Sequence, residues 1–225
     1  MPGKLYIVAT PIGNLGDITT RAIDTLKSVD LVLTEDTRVT GKLLQHFDIQ
    51  VYLLSYHQHS NDVRKFEILK HLIEGKNLAF VTDAGTPGVS DPGNELIDFL
   101  LEKEPEIKVV PIPGPSALTT ALSLCGFDVS KFKFLGFLPK KGRTKIFTAI
   151  SQANEAQVFF ESPMRLVRTL GELKDYLEEG RRVFVGRELT KLFESTYRGS
   201  ITDVLEKLEK ERVKGEIVAI VEKRH

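Results

Sequence analysis

Short apolar runs alternate along this chain with amphipathic segments. In the first half, 4–10, 29–34, 51–55, 77–82 and 108–112 read as strands. Helical patterns lie between them, among them Thr20 to Ser28 and Val63 to Glu74, the second closing at Gly75. Strands and helices taking turns in this way predict parallel strands joined by helical crossovers. The second half adds strands at 132–137, 157–161, 182–187 and 216–222, with helices near 163–178 and 202–212. A Pro-Gly-Pro turn interrupts the rhythm at 113–120, which marks the bridge between two parts, 1–115 and 116–225.

The apolar runs of the first half empty into loops of unusual composition. Leu78 to Val81 leads into Thr82-Asp83-Ala84-Gly85-Thr86-Pro87-Gly88, and Lys4 to Thr10 leads into Pro11-Ile12-Gly13-Asn14. Val29 to Thr34 ends at Glu35-Asp36-Thr37-Arg38, and Val109 to Ile112 runs into Pro113-Gly114-Pro115-Ser116-Ala117. Glycine admits a ligand close to the main chain and proline fixes the path of the loop. Loops at the carboxyl ends of strands in an open α/β sheet are where small ligands bind. Ser116 stands where an N-cap belongs, at the start of a helical run whose free amides suit an oxygen ligand.

Several of these phrases carry a resemblance. LYIVATPIGNLGDIT (5–19), LVLTEDTRVTGKLL (31–44), FVTDAGTPGVSDPG (80–93) and PIPGPSALTTALSLCGF (111–127) resemble the tetrapyrrole methylase superfamily of S-adenosylmethionine-dependent methyltransferases. FLGFLPKKGR (134–143), FFESPMR (159–165) and VGRELTK (185–191) continue the likeness in order. The resemblance implies two α/β domains of the tetrapyrrole methylase type, with the cofactor cleft between them. It places cofactor contacts at Pro11, Thr82, Asp83, Thr86, Ser116, Ala117, Glu161 and Glu188. The first loop departs from the glycine-richer form of the porphyrinoid enzymes, and Pro11 has no amide hydrogen to donate. The wording of the first four phrases points to the branch that methylates a cytidine ribose 2′-hydroxyl in the decoding centre of 16S rRNA. That branch implies a small ribosomal subunit as partner and a homodimer as the usual assembly. A porphyrinoid (precorrin-type) methyltransferase and a noncatalytic RNA-binding module stand as the alternatives.

Charge bears on that choice. The chain has 31 basic and 31 acidic residues, so its net charge says nothing for RNA. The distribution says more. Between Val129 and Asn154 there are six basic residues and no acidic one, and Lys140, Lys141, Arg143 and Lys145 cluster in a segment that reads as a loop. Lys and Arg of this kind suit phosphate contacts. Arg165 and Arg168 are weaker candidates for the same surface, and Tyr56, Phe134 and Phe137 are candidates for stacking on bases.

Methyl transfer from a sulfonium needs no metal, but a ribose hydroxyl is a poor nucleophile and something must take its proton. Asp17, Glu35, Asp36, Arg38, and Glu188 with Lys191 are the available groups. Glu35 or Asp36 is expected to assist the hydroxyl while Arg38 holds a phosphate or positions the carboxylate. Nothing else in the chain competes: it has no dinucleotide fingerprint and no phosphate-binding GxxxxGK[ST]. His57-Gln58-His59 lacks supporting metal ligands. The single Cys125 lies in an apolar run and reads as a core thiol. No apolar run approaches the ~20 residues of a membrane span and no secretory pattern opens the chain, so a cytoplasmic protein is expected.

Overall fold

The computed structural model describes residues 1–57, 60–91 and 93–224. The chain forms two compact units, Met1–Ser116 and one that begins at Ala117.

Unit 1 opens with strand β1 (Lys4–Val8), helix α1 (Thr20–Ser28), β2 (Leu31–Thr34), α2 (Thr37–His46), β3 (Tyr52–Ser55) and α3 (Asp62–Ile73). It continues with β4 (Leu78–Phe80), α4 (Asn94–Lys103) and β5 (Lys108–Ile112). The sheet order is β3-β2-β4-β1-β5, with every pairing parallel. All four residues of β2 and all three of β4 are buried, as strands covered by helices on both faces require. One apolar layer gathers Leu5, Leu33, Phe80 and Leu96, and the other gathers Val8, Leu26, Val32 and Val81. Side-chain caps start the helices where the sequence supplies them: Thr19 accepts from the Ala22 amide (3.1 Å) and Asn61 from the Arg64 amide (3.1 Å). Helix α3 stops at Gly75, whose φ of +87° suits glycine alone.

Unit 2 contains α5 (Ala117–Leu124), β6 (Phe132–Phe137), α6 (Thr144–Gln152), β7 (Ala156–Glu161) and α7 (Leu166–Lys174). Then come β8 (Arg182–Arg187), β9 (Ser195–Ser200), α8 (Ile201–Leu208) and β10 (Ile217–Val221). Its sheet, in the order β6-β7-β10-β8-β9, is mixed: β6 and β7 run parallel and the other pairings are antiparallel. The core packs Phe147, Phe159, Leu170, Val185, Val204 and Ala219 together.

The structure departs from the sequence pattern at two places. Strand β9 (STYRGS) has no counterpart in that pattern, because only Tyr197 of its six residues is buried and an edge strand so polar has no apolar signature. The 139–145 segment is not one loop: α6 begins at Thr144, so Lys145 sits in a helical first turn.

Candidate functional site

The four loops of unit 1 all leave the carboxyl ends of strands. Because β1 lies between β4 and β5, their loops meet. Thr10 and Gly85 exchange backbone hydrogen bonds (2.9 and 3.0 Å), and the Thr10 hydroxyl donates to the Thr82 carbonyl (3.2 Å). The Thr86 hydroxyl donates to the Pro115 carbonyl (3.0 Å), which ties the β4 loop to the β5 loop. Gly85 holds φ of +83°, and a Cβ on Gly114 would lie 3.1 Å from that of Ala9. Main chains approach this closely only because the side chains are absent.

Gly93 closes the β4 loop at φ of +141°, and a Cβ there would lie 2.7 Å from Cε1 of the buried Phe80. Gly93→Ala is therefore expected to cost about 2 kcal/mol from overpacking and backbone strain. A denaturant midpoint unchanged from the parent would refute this.

The loop after β2 brings the acids together. Asp36 caps α2, accepting from the Arg38 amide (2.8 Å), and its carboxylate is gripped by the Arg38 guanidinium (2.6 Å). That grip lowers the Asp36 carboxyl to about 2. Asp83, from the β4 loop, accepts from the Asp36 amide (3.2 Å). Glu35 is different in kind. Its Oε1 is buried and has no hydrogen-bond partner among the described residues. Burial first, then the charges of Asp91 and Asp83, push its carboxyl up to about 7. Burial and Asp83 raise Asp91 as well, to about 6. Asp83 and Asp91 are the more exposed of the three, so water screens their repulsion, while half-buried Glu35 keeps a buried, unpaired oxygen.

The expected site residues do not all belong together. Glu35, Asp36, Arg38, Thr82, Asp83 and Thr86 lie in the adjoining β2 and β4 loops, with Pro11 buried in the β1 loop and Ser116 just before α5. Ala117 is the first residue of α5. The Thr82 side chain is turned inward and donates to the Ala84 carbonyl (3.4 Å), so it shapes the loop rather than facing a ligand. Asp36 serves as the cap of α2, and Arg38 positions its carboxylate. Asp91 carries no signal in the sequence, because a single Asp in a Ser-Asp-Pro-Gly turn looks like an ordinary turn residue.

In unit 2, Glu161 is held by its own neighbours. It is 2 % exposed, accepts from the Ser162 amide (2.7 Å) and the Thr169 hydroxyl (2.7 Å), and pairs with Arg165. Its oxygens are engaged inside the unit. Glu188, at φ of +50°, binds Lys191 (2.9 Å) and the Glu216 amide (2.8 Å). These bonds hold the turn after β8, and Lys191 is thereby engaged too.

The basic cluster divides. Lys140, Lys141 and Lys145 are exposed, but Arg143 is only 6 % exposed. Its guanidinium donates to Thr169 (2.6 Å) and Glu172 (2.5 Å) and lies over the Phe147 ring. It anchors the turn before α6 to α7, so it is no mobile phosphate contact. Tyr56 is likewise buried, at 2 % exposure, and presents no stacking face, whereas Phe137 stands exposed on β6. Gln58 and His59 of the considered metal pair lie outside the described residues. Among the described residues no group of three or more His, Cys, Asp or Glu is placed to hold a metal, and no helix is long and apolar enough to cross a membrane.

Comparison with known proteins places the chain in a family. The family model of the tetrapyrrole (corrin/porphyrin) methylases matches residues 4–205. A Thermotoga maritima protein named ribosomal RNA small subunit methyltransferase I is 46% identical over 220 residues, covering 97% of this chain and 98% of that protein. A Synechocystis protein of the same name is 45% identical over 97% of this chain and 78% of its own length. Among solved structures, a cobalt precorrin-4 methyltransferase superposes with a TM-score of 0.72 at 18% identity, covering 97% of this chain and 94% of that one. A uroporphyrin-III C-methyltransferase from Thermus thermophilus gives a TM-score of 0.67 at 19% identity, over 98% of this chain and 94% of that one. At such identities these two speak for the fold, while the closer relatives place the chain within its family. The chain belongs to the tetrapyrrole (corrin/porphyrin) methylase family and groups there with proteins named ribosomal RNA small subunit methyltransferase I.

Proposed function

We propose that the protein transfers a methyl group from S-adenosylmethionine to the ribose 2′-hydroxyl of a cytidine in the decoding centre of 16S rRNA, acting in the cytoplasm as a homodimer on the small ribosomal subunit. The observation that carries this reading is the match along nearly the whole chain, at 46% identity, to a relative with an rRNA methyltransferase name.

The loops of unit 1 fit the cofactor on physical grounds. Gly85 and Gly114 let the β1, β4 and β5 loops pack close together, and Thr86 and Ser116 are small residues at the same loop ends. The neighbouring Asp83 and Asp91 favour a ligand that carries positive charge, as a sulfonium with an amino group does, and the unsatisfied Glu35 oxygen is left for the hydroxyl. Asp83, Thr86, Ser116, Ala117 and the main chain at Pro11 and Thr82 are the residues that would hold it. Bound there, S-adenosylmethionine supplies an electrophilic methyl group.

What remains for the protein is the hydroxyl. Glu35 takes its proton as the oxygen attacks, because a carboxyl at about 7 is half ionised at neutral pH and basic enough to accept it. Asp36, at about 2, is too weak a base. Arg38 and Asp83 fix the loop from which Glu35 projects. Lys140, Lys141 and Lys145 hold RNA phosphates.

The test is methyl transfer from labelled S-adenosylmethionine to small ribosomal subunits that lack the modification, with nucleoside mass spectrometry of the product. A 2′-O-methylcytidine product is expected. Cofactor binding with no methyl transfer to subunits or free rRNA would overturn the reading.

A further inference from the structure

Unit 2 contains a cavity of ≈ 390 Å³ where the turn before α6 faces α7 and the turn that follows it. That volume lies within the range of pockets that take small ligands, and it is too small for a helix or a protein loop. Lys140, Lys141 and Arg168 stand at its rim, all three exposed. Phe147 and Tyr176 form an aromatic wall, their ring centroids 5.6 Å apart in an edge-on arrangement. Phe147 is buried, while Tyr176 is 37% exposed and offers surface to the cavity.

Charge decides what kind of ligand suits it. Glu172 lines the cavity but is shared between Arg143 (2.5 Å) and Arg168 (2.7 Å), so its charge is answered within the wall. Asp175 is the other acid of the lining. Against them stand four cations, and neither Lys140 nor Lys141 has an ion-pair partner among the described residues. Arg143 holds the turn that carries the two lysines, through Thr169 and Glu172, so they project from a fixed base. An aromatic wall beside unpaired cations is the combination that single-stranded nucleic acid uses, with bases stacking on rings and phosphates on Lys and Arg. Asp175 at the wall provides an acceptor for the amino group of a base.

We propose that this cavity receives one unstacked, non-reacting nucleotide of single-stranded RNA, its base against Tyr176 and its flanking phosphates on Lys140, Lys141 and Arg168. The proposal rests on the RNA-substrate reading above and adds a nucleotide-sized foothold to it.

The experiment measures binding of a fluorescein-labelled single-stranded oligoribonucleotide to the full chain over a range of salt concentrations, with methyl transfer to small subunits assayed in parallel. Tyr176→Ala is expected to raise the Kd about tenfold, the loss of one base–aromatic stack, and to leave the salt slope unchanged. Tyr176→Phe is expected to bind as the parent does. Tyr176→Leu keeps the apolar packing on Phe147 but has no flat face, so it should behave as the alanine variant even if that one folds poorly. The double variant Lys140→Gln with Lys141→Gln is expected to reduce the salt slope by about 0.7 for each phosphate that is no longer neutralised. Parental affinity in both the alanine and leucine variants, with weaker binding in the lysine variant, would overturn the proposal and leave a phosphate track alone. No change in any variant would take this face off the RNA altogether. Tyrosine-dependent binding without methyl transfer by the parent would sink the proposed function and leave the cavity's role standing. Methyl transfer with tyrosine-independent binding would do the reverse.

Discussion

Glu35→Gln is expected to lower kcat for methyl transfer about a hundred- to ten-thousand-fold, the range lost with a general base, and to leave cofactor affinity nearly intact. The amide keeps the shape of the side chain and cannot take a proton. The pH profile gives an independent check. In the parent the reactive form of Glu35 is the carboxylate, and its carboxyl titrates at about 7. Activity should therefore rise as pH passes upward through about 7 and fall away below it, whereas the variant's residual rate should be flat across that window. Stability moves the other way. A carboxyl raised above its ordinary value is unfavourable when ionised, so its burden on folding grows as pH climbs from the ordinary carboxylate range toward 7. Glu35→Gln removes that burden and should fold at least as well as the parent at pH 8. Lost activity in a protein of equal or greater stability cannot be put down to unfolding. Asp36→Asn makes the contrast: it loses the negative charge that Arg38 grips at the start of α2, so its expected loss is in stability more than in chemistry. Near-parental turnover in Glu35→Gln would refute the assignment.

Much of unit 1 is legible in the sequence because its strands are covered on both faces. Leu31 to Leu33 and Leu78 to Val81 are apolar without interruption, and each run gives way to a threonine followed by an acid. The gathering of Glu35 and Asp83 is another matter. They are 48 positions apart, and only the sheet order β2-β4 makes their loops neighbours. In the sequence Glu35 and Asp36 stand as equals. What separates them is local: the second carboxylate reaches the first turn of α2 and Arg38, and the first is left enclosed and unsatisfied. Unit 2 is harder to read. Arg143 stands in a run of lysines and glycine that has every mark of a solvated loop, yet Thr169 and Glu172 on α7 draw it inside. Tyr176 gives no signal because it lies 29 residues beyond Phe147 and only the fold brings the turn after α7 beside α6.

Glu161→Ala is expected to destabilise the protein by about 3 kcal/mol, the cost of removing one partner from a buried ion pair. The carboxylate has no exposed surface, and every group around it depends on it. The Ser162 amide and the Thr169 hydroxyl both donate to it, and Arg165 pairs with it from one turn along the chain. Arg165 is 24% exposed and can turn toward water, which holds the loss near the lower end of the range for buried pairs. The amide of Ser162 has no such freedom. Thr169 passes the disturbance on, because its hydroxyl donates to Glu161 and accepts from Arg143. With Glu161 gone, that hydroxyl can rotate away and Arg143 keeps only Glu172 as a charge-assisted partner, so the turn bearing Lys140 and Lys141 loosens as well. Glu161→Gln should cost less than the alanine, since its amide oxygen still accepts from Thr169 or Ser162 while the charge opposite Arg165 is lost. Thermal unfolding of the three proteins, set beside cofactor binding measured well below the lowest midpoint, separates a structural role from contact with the cofactor. Lower midpoints with parental cofactor affinity are the expected pattern. A parental midpoint with weakened cofactor binding would return Glu161 to the cofactor site, and the geometry of its three donors argues against that outcome.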